Sequence, residues 1–330
     1  MENWINAPVR NPRGNEAEYT RSLAEYESLK GRVALVDHSP RSILKLIGKG
    51  SIEMLNAILT NEVPKRGNVG TYAALLNPKG RIQTDLRVLK AVDDVLVDTE
   101  PEGAGAAREL LGCYAPFSRV KVDDLSDGGN PWTIFGLYGP HAGELLGNLR
   151  LAEHESASVE VGGAKVLAVG VAVPLPGFDL IGSKDVLRVA SEHLIKAGAT
   201  PVSHEAYETA RIEAGIPRFG SDITPENFPA EAGILERAVS FEKGCYPGQE
   251  TVARMHYRGH PNKTLHRLVV EGPSPTPGTP ITQNQKQVGK ITSTAPIPVN
   301  SRYLALGYLS RNANINEPLS AGEAHILLAP

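Results

Sequence analysis

Phe241-Glu-Lys-Gly-Cys-Tyr-Pro-Gly-Gln-Glu250 is the most distinctive stretch of the chain. One of only two cysteines, Cys245, lies here between two glycines, with Lys243 two residues before it. The thiolate is the reactive form of cysteine, and adjacent cations lower the pKa of a thiol. Glycine lets the backbone turn tightly and approach a ligand closely. The pattern therefore predicts a reactive Cys245, whereas Cys113, in the apolar stretch Leu110-Leu-Gly-Cys113, is expected in the core.

The length, composition and net charge of the chain indicate the class of protein. A length of 330 residues exceeds the size at which one hydrophobic core usually stops growing, so we expect two or three domains. The chain is 41% hydrophobic and 22% charged, as is typical of a soluble globular protein. The net charge is −3 and no basic block is present, which argues against direct general binding of nucleic acid.

Targeting and metal signals are weak in the sequence. The N-terminus, Met-Glu-Asn-Trp-Ile-Asn, lacks a cationic region followed by an apolar run, so no signal peptide is predicted. No apolar stretch reaches membrane-spanning length. Without a Cys-x-x-Cys pair, neither a disulfide framework nor a cysteine-rich metal site is indicated. We therefore expect a cytoplasmic protein that has no membrane contact and no metal site.

Local patterns predict the secondary structure. Hydrophobic spacing indicates helices over residues 16–30, 184–197 and 204–214. The turn sequence Asn77-Pro-Lys-Gly80 lies between two strand-like runs and predicts a hairpin. Residues 215–248 are rich in glycine, proline and polar residues, and so long an irregular stretch is usually functional or disordered. The aliphatic and aromatic residues scattered through it favour order.

These patterns divide the chain into three predicted domains. Residues 1–125 and 126–258 are predicted to form two related α+β units with mainly antiparallel sheets, the second including the Cys245 loop. Residues 259–330 contain short β runs separated by turns, which predicts a small barrel or sandwich.

Two further motifs suggest chemistry that the surrounding residues do not support. Gly48-Lys-Gly-Ser51 lacks the frame of a phosphate-binding loop, and a helix N-cap explains it. His256 and His260 lie four residues apart, but nearby prolines and a glycine argue against one helical face, which weakens a zinc site. A cysteine hydrolase using Cys245 and one of these histidines stays open, although its local signatures are absent.

Five stretches of the chain form a set that points to a family. They are Asp37-His-Ser39, Leu59-Thr-Asn-Glu-Val63, Asn77-Pro-Lys-Gly80, Arg211-Ile-Glu-Ala-Gly-Ile-Pro-Arg-Phe-Gly220 and Lys243-Gly-Cys-Tyr-Pro-Gly-Gln-Glu250. Together they resemble the YgfZ-type folate-binding proteins, which are relatives of the glycine-cleavage aminomethyltransferase, the T-protein. The resemblance runs from about residue 30 to the C-terminus. Its specific part is the stretch around Cys245, which separates this branch from true T-proteins.

The resemblance implies a fold and a role. The implied fold is α+β, a GcvT-like arrangement of three subdomains around a central channel, with two α+β subdomains and a C-terminal β-barrel. The channel would hold tetrahydrofolate or another reduced folate, not covalently bound. The implied role is to support the assembly or repair of iron–sulfur enzymes, including ones that modify tRNA. Folate and iron–sulfur enzymes or assembly proteins are thus the implied partners.

The resemblance also implies roles for three residues. Asp85 stands at the position of the T-protein's catalytic aspartate, although the bare sequence favours an outward-facing carboxylate paired with Arg81 or Arg87. Asp179, in Gly177-Phe-Asp179, stands where a carboxylate clamps the pterin, and a carboxylate can accept paired hydrogen bonds from an aminopyrimidine edge. Tyr207 replaces an arginine of T-proteins, which argues against full T-protein activity but allows ring stacking.

The leading hypothesis places Cys245 in the channel beside the pterin. Lys243 and Arg254 would favour its thiolate, and Gln249 and Glu250 are grouped with them as folate-binding residues. The thiolate would attack a one-carbon unit, contact a cluster-related species or react with a partner protein. At the channel mouth, the folate carboxylates would be attracted by cations, for which the candidates are Arg254, Arg258 and Lys263.

Two other hypotheses remain open. The first is a folate-dependent aminomethyltransferase or one-carbon transferase like the T-protein, in which Asp85 positions the nitrogen chemistry of the folate. The second is a scaffold whose barrel recruits a partner and which has no affinity for folate.

Overall fold

A computed structural model describes residues 16–91 and 95–329 of the protein. Seven helices are described in these ranges: α1 (Glu16–Gly31), α2 (Ser51–Ile58), α3 (Pro101–Tyr114), α4 (Lys184–Lys196), α5 (His204–Glu213), α6 (Leu235–Ala238) and α7 (Gln249–Arg258). Short 3-10 turns cover Ala115–Ser118 and Glu144–Leu146. The N-terminal residues on which the expectation of no signal peptide rests lie outside the described ranges.

The strands form two open sheets and a barrel. In chain order they are β1 (Ala34–Asp37), β2 (Ser42–Ile47), β3 (Thr71–Leu76), β4 (Ile82–Lys90), β5 (Val95–Thr99), β6 (Lys121–Asp124), β7 (Trp132–Tyr138), β8 (Ser156–Val161), β9 (Ala164–Val171), β10 (Gly177–Ser183), β11 (Thr200–Val202), β12 (Lys263–Glu271), β13 (Pro280–Gln283), β14 (Lys286–Thr294), β15 (Tyr303–Ser310), β16 (Leu319–Ala321) and β17 (Ala324–Leu328). These elements confirm the predicted α+β class and the helices predicted over residues 16–30, 184–197 and 204–214.

The first sheet has the strand order β3-β4-β5-β2-β6 and is antiparallel. Its core packs against α2 and α3 through Leu44, Leu55, Leu75, Leu86 and Leu111. The predicted hairpin is the β3–β4 connection, in which the Asn77 carbonyl accepts from Gly80 N–H at 2.9 Å. Gly80 has φ +82°, a conformation that favours glycine.

The loop before α2 starts the helix as predicted, but not through a serine cap. Gly50 is the N-cap residue, and the Ser51 hydroxyl donates to the Gly48 carbonyl at 2.7 Å instead of accepting from the helix.

Cys113 lies on α3, and the expectation that it belongs to the core is wrong. It is exposed because the buried face of α3 consists of Gly103, Ala104, Ala107 and Leu111.

The second sheet has the order β11-β1-β7-β10-β9-β8. All pairs are antiparallel except β1 with β11. Strand β1 precedes the expected boundary at residue 125 in sequence, yet it pairs with β7 and β11, which follow that boundary. The first of the described strands therefore belongs to the sheet of the second unit.

Residues 215–248 are irregular apart from the one-turn helix α6. Phe219, Ile223, Ile234 and Tyr246 are buried and pack with Ile82 of the first sheet. This apolar contact orders the segment, as predicted, and attaches it to the first sheet rather than to the second.

The C-terminal part is a closed barrel of six strands in the order β12-β15-β14-β13-β16-β17, which confirms the predicted β-barrel. A buried polar cluster joins it to α5. The guanidinium of Arg211 donates to Asp222 at 2.7 Å and to Glu208 at 3.0 Å. The hydroxyl of Ser293 on β14 donates to the same Asp222 at 2.7 Å. Removing one partner of such a buried ion pair costs about 3–5 kcal/mol, and the Ser293 hydroxyl links the barrel to this pair.

Across residues 16–91 and 95–329, no helix is both long and apolar enough to cross a membrane.

Candidate functional site

A cavity of about 280 Å³ lies where the two sheets meet α5 and the segment that follows it. Its wall combines ionisable and aromatic side chains: Asp37, His38, Arg41, Tyr72, Asp85, Arg87, Glu100, Glu102, Tyr138, Asp179, His204, Tyr207, Glu208, Arg211, Arg218 and Arg237. The cavity thus brings together Asp85, Asp179 and Tyr207, three of the site residues that the sequence predicted.

One wall of the cavity is aromatic. The rings of Tyr138 and Tyr207 are stacked, with centroids 5.6 Å apart and planes 21° from parallel. His38 meets the edge of Tyr207, with centroids 4.5 Å apart. Burial lowers the pKa of His38 to about 4, so its imidazole is neutral near pH 7. This wall offers flat apolar faces on which a planar ring can stack.

Asp179 lies on β10 beside that wall and is only 3% exposed. One carboxylate oxygen accepts from the Tyr138 hydroxyl and the other from the Arg87 guanidinium, each at 2.5 Å. Opposite Asp179 on β7 is Gly136, where a Cβ would come within 2.2 Å of the Tyr138 ring. The glycine therefore makes room for the tyrosine that orients the carboxylate.

A chain of alternating charges continues from Asp179 into the first sheet. Arg87 on β4 binds both oxygens of Asp98 on β5, at 2.9 and 2.8 Å. Arg41 donates to Asp98 at 2.7 Å and also pairs with Glu100. Burial opposes the charge of Asp98, yet the two guanidinium groups hold its pKa down at about 2. The chain fixes the two sheets relative to each other at the cavity.

Asp85 lies on β4 and is buried, so the outward-facing alternative is wrong. The Tyr72 hydroxyl donates to it at 2.6 Å, and it forms no ion pair within the described part of the chain. Its expected arginine partners make other contacts. Arg87 forms salt bridges with Asp98 and Asp179, and Arg81 donates a hydrogen bond to the Glu226 carbonyl. Burial raises the pKa of Asp85 to about 6. A carboxyl of that pKa can give or take a proton near neutral pH.

The structure does not bring Cys245 to the cavity. Cys245 is exposed, and none of Lys243, Cys245, Gln249, Glu250 and Arg254 is among the lining residues. The other two expected mouth cations, Arg258 and Lys263, do not line the cavity either. The expectation that these residues lie at the cavity is therefore wrong, whereas their roles in folate binding and chemistry stay predictions.

Packing explains why the Cys245 loop lies elsewhere. Gly248, with φ +82°, is so close to the β3–β4 turn that a Cβ would come within 2.6 Å of the Asn77 carbonyl oxygen. The Lys243 ammonium donates to the carbonyls of Asn56 and Leu59, at 2.8 and 2.6 Å. These carbonyls end helix α2, so Lys243 caps that helix. Burial lowers the pKa of Lys243 to about 8.

Several cavity residues escaped the sequence interpretation. Arg41, Arg218 and Arg237 line the cavity, as does Tyr72, which lies under the Arg237 guanidinium at 5.1 Å. No local pattern marked them as site residues: Arg41 precedes β2, Arg218 lies in the irregular segment, and Arg237 is on α6. The acid that each arginine meets is set by tertiary contacts, as for Arg41 with Asp98 and Arg218 with Glu208.

Within the described residues, no group of three or more His, Cys, Asp or Glu side chains is arranged to hold a metal ion.

Comparisons with known proteins match this fold. A crystal structure of the glycine cleavage system aminomethyltransferase T from Bartonella henselae superposes with a TM-score of 0.80 at 20% identity, covering 93% of this chain and 88% of that one. An aminomethyltransferase from Rubrobacter xylanophilus is 27% identical over 88% of this chain and 80% of its own. A putative chloroplastic transferase of Arabidopsis thaliana is 29% identical over 69% of this chain and only 54% of its own length.

The GCVT N-terminal domain model matches residues 5–243, which is more than half of the chain. The chain therefore belongs to the GCVT family, which includes aminomethyltransferases, and it has the GcvT-like fold.

Proposed function

We propose that the protein binds tetrahydrofolate, or another reduced folate, in the cavity and thereby supports the assembly or repair of iron–sulfur enzymes, including ones that modify tRNA. The observation that carries the folate part is the position of the buried Asp179 carboxylate beside the stacked Tyr138 and Tyr207 rings.

A pterin ring matches this wall chemically. Its aminopyrimidine edge offers two parallel N–H donors, which a carboxylate accepts well. Each oxygen of Asp179 already accepts one hydrogen bond, but an ionised carboxylate has about four acceptor positions. The salt bridge to Arg87 keeps Asp179 in place for this contact. The volume of about 280 Å³ is near the lower limit of about 300 Å³ for small-molecule pockets, which suits a bicyclic ring.

The exposed thiol supports the partner-protein part of the proposal. Because Cys245 lies on the surface, a folate in the cavity leaves it accessible to a second protein. Of the three reactions considered for the thiol, the surface position favours reaction with a partner protein over attack on a one-carbon unit of the bound folate.

The second candidate function is a folate-dependent aminomethyltransferase, and Asp85 favours it. A buried carboxyl with a pKa of about 6 in the wall of a folate cavity is suited to proton transfer at a folate nitrogen. The family includes proteins with this activity.

A binding and turnover experiment tests the proposal and separates the two functions. Calorimetric titration of the wild-type protein with tetrahydrofolate is expected to show saturable binding. Incubation with tetrahydrofolate and an aminomethyl-lipoyl donor is expected to give no methylenetetrahydrofolate. Turnover that disappears in Asp85→Asn protein would instead establish the transferase. If tetrahydrofolate does not bind, both functions are excluded and the result favours the scaffold hypothesis, which expects no affinity for folate.

Replacing Cys245 by alanine is expected to separate folate binding from cellular function. Because the thiol lies outside the cavity, the tetrahydrofolate dissociation constant should change by less than about twofold, as for surface substitutions. The activity of iron–sulfur enzymes in cells that depend on the protein should fall. Cys113→Ala is the matched control, since Cys113 is also free and exposed. Full support of iron–sulfur enzymes by the Cys245→Ala protein would discard a role for the thiol.

A further inference from the structure

His38 lies at the aromatic wall of the cavity and is held there by both its backbone and its ring. It directly follows β1, and its N–H donates to the Ile134 carbonyl at 2.9 Å. Its Nε2 lies 3.0 Å from the Tyr138 hydroxyl oxygen, and its ring contacts the Tyr207 ring. Only 8% of the residue is exposed, and it lines the cavity. The position of its imidazole proton therefore bears on what can bind there.

Asp179 fixes that proton position through Tyr138. The salt bridge to Arg87 keeps Asp179 ionised, and an ionised carboxylate can only accept hydrogen bonds. The Tyr138 hydroxyl must therefore give its one proton to Asp179, which lies 2.5 Å away. The hydroxyl oxygen can then only accept from His38, so Nε2 carries the imidazole proton. Because a neutral imidazole has one such proton, Nδ1 is left as a bare acceptor.

Nδ1 of His38 is free to accept a hydrogen bond from a ligand. Within residues 16–91 and 95–329, the ring forms one hydrogen bond, which is the bond at Nε2. Nδ1 does not belong to the fully enclosed side-chain atoms that lack a partner in this part of the chain, so some of its surface is accessible. Since His38 lines the cavity, a ligand in the cavity can reach that surface.

The cavity thus offers two acceptors to a pterin that stacks on its wall. Asp179 and the His38 ring are joined through a single hydroxyl, by contacts of 2.5 and 3.0 Å, so one bicyclic ring can span both. The aminopyrimidine edge, which suits Asp179, carries the same N–H donors in reduced and oxidised pterins. The other half of the ring differs. Its nitrogens N5 and N8 carry hydrogen and donate in tetrahydrofolate, whereas both are bare acceptors in folic acid.

We propose that His38 selects the reduced state of the folate ring, with its Nδ1 accepting from N5–H or N8–H of a reduced pterin. This inference rests on the proposed function and names a residue that determines specificity at the same site. With folic acid, Nδ1 would face another bare nitrogen, and both acceptors would be buried without a hydrogen bond. An unmade hydrogen bond of this kind is unfavourable, so the oxidised ring would bind more weakly.

A comparison of tetrahydrofolate with folic acid tests the assignment. Both compounds are titrated into the wild-type protein by calorimetry without oxygen. Tetrahydrofolate is expected to bind about 10-fold to 100-fold more tightly, the effect of one unmade hydrogen bond at a buried acceptor.

His38→Gln protein should show a ratio of the two affinities that is about tenfold lower than in the wild type. The glutamine amide can still donate to the Tyr138 hydroxyl, but it has no acceptor in the place of Nδ1. His325→Gln is the control and should keep the ratio, because His325 is exposed on barrel strand β17. The thermal unfolding midpoint of each variant shows whether the fold is intact.

Nitrogen NMR of the imidazole adds a readout that a purely structural role would not move. The protein is labelled with isotope-enriched histidine, and the signals missing from the His38→Gln spectrum identify His38. Near neutral pH, Nδ1 of the wild-type protein is expected to be the unprotonated ring nitrogen. Its resonance should shift toward that of a protonated nitrogen when tetrahydrofolate binds, because it then accepts a hydrogen bond.

The outcomes separate this inference from the proposed function. If the wild-type protein binds neither compound, the proposed function itself fails. The assignment of His38 is overturned, while folate binding stands, if the wild type binds both compounds equally well or if His38→Gln protein keeps the wild-type ratio. A proton on Nδ1 in the wild-type spectrum would overturn it as well.

Discussion

Asp85→Asn protein is expected to be more stable than the wild type at neutral pH, by about 2–3 kcal/mol. Burial raises the pKa of Asp85 to about 6 from an ordinary 3.8, a difference of about two units. Each unit corresponds to about 1.4 kcal/mol. Asparagine avoids this cost because it is uncharged, and its carbonyl oxygen can still accept from the Tyr72 hydroxyl.

The sign of the pH dependence follows from proton uptake. Between pH 3.8 and about pH 6 the folded protein holds a proton on Asp85 that the unfolded chain has lost. The contribution of Asp85 to stability therefore falls as the pH rises through this window, and it stays low above it. The advantage of Asp85→Asn should consequently be full above about pH 6 and vanish below about pH 4.

Urea unfolding of the two proteins at pH 7.5 and pH 4 measures the effect. The free energy of unfolding of the wild type is subtracted from that of the variant at each pH. This difference cancels the contributions of other titrating groups, such as His38, whose lowered pKa makes the fold less stable as the pH falls. Asp127→Asn, at an exposed position, is the matched control and should change stability by less than about 0.5 kcal/mol. A loss of stability in Asp85→Asn protein at pH 7.5 would contradict the proposed environment of the carboxyl. A gain would mean that the wild-type sequence retains a destabilising group at the cavity, as functional sites often do.

Replacing Asp179 is expected to have the largest effect on ligand binding. Asp179→Asn should weaken tetrahydrofolate binding by about 100-fold or more, because the amide has only one acceptor oxygen and cannot receive both N–H groups of the pterin edge. Asp179→Ala should bind no better and should also destabilise the fold by about 3 kcal/mol. The value is at the low end for a broken buried pair because Arg87 keeps its two bonds to Asp98.

Calorimetry and urea unfolding of both Asp179 variants separate binding from folding. The asparagine variant preserves the shape of the side chain but also loses the charge paired with Arg87. A loss of binding in a variant that urea unfolding shows to be folded would therefore show that the carboxylate recognises the ligand. Wild-type affinity in the Asp179→Asn protein would refute the pterin-orienting role.

The fold class could be read from local patterns. The Asn77–Gly80 turn predicted the β3–β4 hairpin because its geometry is fixed by the residues themselves. Short β runs after residue 259 predicted a small barrel or sandwich, and the family resemblance indicated the barrel that the structure has. The resemblance then indicated Asp85, Asp179 and Tyr207, and these three do line one cavity.

The arginine chain at the cavity could not be predicted. Arg87 meets Asp98 through the register of two strands, and it meets Asp179 only because the two sheets adjoin. Neither contact can be predicted from the residues adjacent in sequence. The same limit applies to β1, whose residues indicate a strand but not the sheet that it joins.

The loop around Cys245 shows a different limit. Its glycines correctly indicated a tight turn, but that turn packs on the β3–β4 hairpin, and the sequence does not specify which way such a loop faces. Lys243 seemed to be placed for the thiol, yet it ends helix α2. A lysine beside a cysteine is therefore equally well explained by a nearby helix end.

The buried polar cluster that contains Arg211, Asp222 and Ser293 affects where the chain can be truncated. Arg211 lines the cavity on one side and is bonded to a barrel hydroxyl on the other. Cutting the chain ahead of the barrel would remove the Ser293 hydroxyl from both Arg211 and Asp222. A chain truncated before β12 is therefore expected to unfold at a lower temperature than the full chain, because this buried pair loses its hydroxyl partner.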